Sequence, residues 1–126
     1  MSLRSPLGRV LGLGSAKDGT SHWWAQRVSA VALVPLTVWF LISLLALPSL
    51  DYATVRIWLS FPLTGLLAVL LVAVLTYHSY LGTSVVVEDY VHSAGTKLAS
   101  LLLLRFLYVL VGGASIFSVL RIALRT

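Results

Sequence analysis

The chain has 126 residues, of which 59% are hydrophobic and only 10% charged, and its mean hydropathy is +0.98. A soluble globule usually carries about 25% charged residues, because water must solvate its outside, so lipid or a partner protein has to cover most of this surface. The formal charge of +5 would suggest nucleic acid in a soluble chain, but the basic residues stand at the borders of apolar runs, as membrane proteins place them, and no nucleic-acid partner is expected.

The length suits one domain and leaves no room for a separate water-soluble catalytic unit. With no cysteine, disulfides, iron–sulfur ligation and thiolate zinc sites on this chain are excluded. There is no Walker loop, dinucleotide fingerprint, HExxH or nucleophile elbow.

In chain order, residues 1–27 read as an N-terminal tail and interfacial segment, and residues 28–126 as an all-α transmembrane domain. The glycine-rich residues 8–20 suggest a loose, partly extended tail. His22, Trp23 and Trp24 fall at the expected interface, where an indole sets its ring in lipid and its N–H in the headgroups. The first apolar run begins too late, and lacks the small-residue cleavage site, for a secretory signal peptide.

A bilayer core needs about 20 mostly apolar helical residues, since each buried amide must bond within its own segment. Three stretches qualify, near residues 28–47, 58–87 and 98–120. Pro35 and Pro62 fall within them, which membrane helices tolerate. Arg4, Arg9, Lys17, Arg27 and, from the connection after the second span, Lys97 form one basic set. Arg56, Arg121 and Arg125 form the other. The positive-inside rule then favours a cytoplasmic N-terminus.

Within the spans, the polar groups are the informative residues. His78 lies inside the second span, with Gly82 one turn later on the same helical face. An ionisable group at that depth usually faces a partner or a cavity, and a missing side chain beside it leaves space for a flat ligand such as a haem. From the residues alone the plainer reading of His78 is a bond to another helix or snorkelling to the interface, since H-x-x-x-G is a common pair. His22 and His92 read as ordinary surface histidines rather than ligands. Arg105, inside the third span, reads as a snorkelling cation or as a counter-charge for a propionate or buried acid. Gly112, Gly113, Ala114 and Ser115 form a small-residue patch that lets helix backbones approach. Glu88, Asp89 and Tyr90 end the second span. A tyrosine there can donate to a carbonyl oxygen entering from lipid, with a neighbouring carboxylate orienting it or relaying protons. The plain alternative is a belt aromatic followed by an acidic helix end.

Taken in order, G-S-A-K-D-G-T-S-H-W-W-A-Q-R over residues 14–27, His78-Ser-Tyr-Leu-Gly82 and Glu88-Asp89-Tyr90-Val91-His92 resemble the small hydrophobic anchor of succinate dehydrogenase, respiratory complex II. The kind is that of alphaproteobacteria and mitochondria. The likeness covers nearly the whole chain, and its most specific part is H-x-x-x-G followed by D-Y, with Asp89 eleven positions after His78. It implies that His78 is the axial ligand this subunit gives to haem b, the other coming from a sister cytochrome b anchor subunit. It implies that Gly82 and Arg27 adjoin the haem, with Arg27 near its propionates and the quinone pocket. Tyr90 then bonds the ubiquinone carbonyl and Asp89 supports it. An iron–sulfur subunit and a flavoprotein subunit would dock on the cytoplasmic face of a bacterial inner membrane. In that arrangement the quinone lies near the surface and the haem deeper, by at most roughly 17 Å if the segment is helical. The chain alone would have no activity. A structural or assembly subunit without a redox cofactor is the rival reading, and a fumarate reductase anchor shares the same architecture.

Overall fold

The computed structural model describes residues 16–125, with side chains from Thr20 onward. The described residues form four helices, α1 (Ala16–Ala46), α2 (Tyr52–Ser60), α3 (Pro62–Tyr90) and α4 (Ala94–Ala123). Among the described residues there is no strand. Helices α1, α3 and α4 are each long and apolar enough to cross a membrane. At 31, 29 and 30 residues each is roughly 45 Å long. That length exceeds the hydrocarbon core of about 30 Å and matches the bilayer with its headgroups.

The helices therefore run past the apolar segments, α1 at its start, α3 at its end and α4 at both. Glu88, Asp89 and Tyr90 form the last turn of α3, and Lys97 lies in the first turn of α4. The connection expected over residues 88–97 shrinks to residues 91–93. Charge marks where hydrocarbon stops, but it does not stop a helix whose amides still gain from bonding in the headgroup layer. The same holds at the start of α1, where residues 16–20, expected in a loose tail, are already helical. The remainder of that tail, residues 1–15, lies outside the described residues.

A second difference concerns the start of the middle span. Trp58 belongs to the separate helix α2, and α3 begins only at Pro62. Phe61 between them is extended, with φ −68° and ψ 130°. The proline ring disfavours helical geometry in the residue before it, while its fixed φ suits the first helical position. One proline thus ends α2 and starts α3. Pro35, by contrast, sits within α1 without ending it. Leu47 and Pro48 close α1 by the same rule that breaks the chain at Phe61.

Helix α3 is central. It packs against α1 on one side and α4 on the other, and α1 and α4 do not pack on each other. Accordingly 22% of its apolar window is buried, against 6% for α1 and α4. The buried apolar residues are few, namely Leu59, Ala68, Leu71 and Leu81. Leucines and valines of all three spans remain exposed. Three helices in an open row leave both flat faces to lipid or to a partner.

Two glycines set the spacing of this row. A Cβ on Gly112 would lie 2.7 Å from Thr76 Cγ2, so α3 and α4 meet there backbone to side chain. A Cβ on Gly65 would lie 3.1 Å from the Leu59 carbonyl oxygen and 3.3 Å from Ala123 Cβ. Gly65 is thus where α2 folds back under the ends of α3 and α4. Gly113, next to Gly112, has open space around it. The small-residue patch contributes packing through one of its glycines and leaves the other free.

Candidate functional site

The polar residues of α3 divide between its two packed sides. Residues two apart on a helix point about 200° away from each other, so His78 and Tyr80 face different neighbours. On the α1 side, His78 Nδ1 lies 2.9 Å from Ser29 Oγ. Ser29 is buried, at 5% exposure, and its hydroxyl also donates to the Gln26 carbonyl oxygen at 3.0 Å. This contact fixes the register of α1 against α3, because Gln26 then meets Gly82, whose notional Cβ would lie 3.8 Å from Gln26 Nε2. The Gln26 Oε1 atom is buried and unpartnered among the described residues.

A groove of about 390 Å³ follows this seam, lined by His22, Trp23, Gln26 and Arg27 of α1 and by Leu81, Gly82 and Val85 of α3. It begins one turn beyond His78 and climbs toward the Tyr90 end of α3. Its rim is basic. The Arg27 guanidinium sits 5.5 Å from the centre of the Trp23 ring, a distance at which cation–π attraction holds it, and Trp23 meets Trp24 edge to face. Among the described residues no acid lines the groove, and the Arg27 guanidinium offers an anionic group a charge complement. His22, expected to be an ordinary surface histidine, is exposed but shares this rim.

Tyr90 and Asp89 stand apart from the groove. Both are exposed on the last turn of α3, and among the described residues neither has a hydrogen-bond partner. Twelve residues of continuous helix separate His78 from Tyr90, about 18 Å along the axis. His92 lies in the connection and is exposed.

The α4 side carries a different polar cluster. Arg105 Nε donates to the Tyr80 hydroxyl at 3.3 Å. Thr83 Oγ1 donates to the Ser79 carbonyl, so at 2.8 Å the Tyr108 hydroxyl donates to Thr83. Tyr80 and Tyr108 pack edge to face. Arg105 therefore works as a tether between α3 and α4, on the other side of α3 from His78.

Among the described residues no three of His, Cys, Asp and Glu converge on one point. One imidazole in a span, a helix position without a Cβ one turn away, and a basic groove alongside do fit an iron held in a porphyrin with its second axial ligand from another chain. Sequence reasoning missed Ser29 and Gln26. The signal was their i, i+3 spacing as two polar residues on one face at the start of an apolar span.

Residues 1–112 match the family described as succinate dehydrogenase/fumarate reductase transmembrane subunit. The chain belongs to that family. It is 41% identical over 91 residues to the succinate dehydrogenase hydrophobic membrane anchor subunit of Rickettsia bellii, covering 70% of each chain. It is 36% identical over 98 residues to the protein of the same description in Paracoccus denitrificans, covering 78% of this chain and 75% of that one. A succinate dehydrogenase membrane anchor subunit of Reclinomonas americana is 29% identical over 96 residues, covering 74% and 80%. The three candidate spans and the strand-free described residues agree with a transmembrane-subunit family.

Proposed function

We propose that this chain, as the membrane anchor of a succinate dehydrogenase, supplies one axial ligand to a haem b and one wall of a ubiquinone-reduction site. The observation that carries the haem half is the position of His78, in a membrane span beside a basic groove that begins at Gly82. His78 would hold the iron together with a histidine of a sister anchor subunit. Arg27 on the rim would neutralise a propionate, and Gly82 would admit the macrocycle edge. Bound by two imidazoles, a haem supplies reversible one-electron storage with no open position for oxygen.

Tyr90 and Asp89 would form the quinone half. An unpartnered tyrosine hydroxyl at the headgroup level is free to donate to a carbonyl oxygen, and the adjacent carboxylate can exchange protons with water. A quinone there would lie close to the cytoplasmic surface, within reach of an iron–sulfur subunit and flavoprotein docked on that face. The N-terminus would be cytoplasmic and the membrane a bacterial inner membrane, in keeping with the basic charges of the N-terminal side. The open faces of the α1–α3–α4 row, with their exposed leucines and valines, suit a sister anchor subunit packed alongside.

The test is a reduced-minus-oxidised visible spectrum of the detergent-solubilised complex, with His78→Ala and Tyr90→Phe in parallel. His78→Ala is expected to lose or weaken the b-type signal, and an unaltered spectrum would remove His78 as ligand. Tyr90→Phe is expected to impair quinone reduction while leaving reduction of artificial dyes by the soluble subunits largely intact. Equal loss of both activities would refute the quinone role.

A further inference from the structure

We propose that Ser29 is a positioning residue for His78: it accepts the Nδ1 proton of the imidazole and thereby leaves the Nε2 lone pair for iron. The inference rests on the reading of His78 as a haem ligand and adds how the fold prepares it. A serine hydroxyl has one proton and two lone pairs, and here it has two neighbours, the Gln26 carbonyl oxygen at 3.0 Å and His78 Nδ1 at 2.9 Å. The carbonyl can only accept. If the serine proton went to Nδ1 instead, two oxygens with no hydrogen between them would face each other at 3.0 Å. Both contacts are satisfied only when Ser29 donates to Gln26 and His78 Nδ1–H donates to Ser29.

That direction fixes the neutral tautomer of the ring. Which ring nitrogen carries the proton is set by the hydrogen bond the other makes, and a metal-bound imidazole usually gives its far N–H to such an acceptor. Helix α1 supplies the acceptor from a rigid position. Ser29 is buried, lies within the helix and is tied to its own preceding turn. The acceptor also raises the electron density of the ring, which strengthens it as a ligand to oxidised iron.

The complete complex, purified with wild-type chain, Ser29→Ala, Ser29→Thr and His78→Ala, tests this by haem retention against excess apomyoglobin and by redox titration of the b-type spectrum. Ser29→Ala is expected to weaken haem affinity 10- to 100-fold, the range for loss of a ligand's outer hydrogen-bond partner, and to raise the midpoint potential. Ser29→Thr keeps the hydroxyl and is expected to match wild type in both. If Ser29→Ala does not assemble, Ser29→Cys, of similar shape but with a poor acceptor, is expected to raise the potential in the same direction. A Ser29→Ala or Ser29→Cys complex with wild-type potential and haem retention overturns the proposal, as does a Ser29→Thr complex as defective as Ser29→Ala. An unaltered haem spectrum in His78→Ala would instead sink the ligand reading itself, so the two failures are distinguishable.

Discussion

Gly112→Ala offers a stringent check on the packing of α3 against α4. The added methyl would lie 2.7 Å from Thr76 Cγ2, 3.3 Å from its Oγ1 and 3.4 Å from its Cβ. Thr76 cannot easily turn away, because its hydroxyl donates to the Val72 carbonyl at 2.7 Å and a β-branched side chain on a helix has few rotamers. Rotation would give up that bond, worth about 0.5–1.5 kcal/mol, or else α4 must shift outward along its length. Overpacking of this kind costs about 1–3 kcal/mol. Gly113→Ala changes the same chemistry one residue away, where a Cβ meets nothing within 4 Å of this chain. Dodecyl sulfate titration of the purified complex, followed by tryptophan fluorescence, should show Gly112→Ala unfolding earlier by that margin. Thr76→Ser removes the offending methyl, so the Gly112→Ala/Thr76→Ser double variant should recover most of the loss. Equal stability of Gly112→Ala and wild type, or no rescue by Thr76→Ser, would refute the close approach. Destabilisation by Gly113→Ala would instead mark that position as covered by a partner.

Three further outcomes follow from the rest of the fold. The Tyr108 to Thr83 bond should show a coupling of about 0.6 kcal/mol, and no more than about 1.7, in a double-mutant cycle of Tyr108→Phe with Thr83→Val; zero coupling would remove the cross-helix bond. Trp58 stacks on Trp39 with ring centres 5.9 Å apart, so Trp58→Ala should lose about 0.5–1.5 kcal/mol of aromatic pairing beyond area burial and speed amide exchange in α2. Asp51, outside the spans, is held below the ordinary carboxylate range by hydroxyl donation from Ser49 and then Thr54. A lowered folded pKa means the contribution is complete above the ordinary aspartate value and is lost as pH falls through the folded one. Amide protection in the first turn of α2 should therefore drop on acidification in wild type and stay flat with pH in Asp51→Asn.

Most of the fold was legible because a bilayer imposes length and composition on any helix that crosses it. Three spans, their order and their centres follow from the apolar runs. What was not legible sits where that single constraint lapses. Helix ends in the headgroup layer no longer need to be apolar, so Glu88, Asp89 and Lys97 look like connection and are helix. Trp58 and Pro62 share one hydrophobic stretch, and only the pre-proline restriction on Phe61 separates α2 from α3. For the site, His78 and Gly82 stood out because one is expensive in lipid and the other lacks a side chain. Ser29 did not, since a serine within a helix can satisfy its hydroxyl on the preceding turn and its value depends on a residue 49 positions away.

Helix α3 explains why these features coexist in so small a chain. Its α4 side is committed to holding the row together, through Gly112 against Thr76, Tyr108 to Thr83 and Arg105 to Tyr80. Arginine in a span is costly unless something accepts its protons, and here a tyrosine accepts one of them without an acid. That arrangement keeps Arg105 on the far side of α3 from His78. The α1 side has its own groove and, among the described residues, an unpartnered Gln26 side-chain Oε1. Unfilled space is not confined to that seam, since a groove of about 420 Å³ lined by Thr76, Tyr80, Arg105, Tyr108 and Gly112 also runs between α3 and α4; the difference is that the α4 seam carries two cross-helix side-chain bonds where the α1 seam carries one. By the same reasoning, substitutions on the α4 seam should alter assembly before they alter haem spectra, and those on the α1 seam should do the reverse.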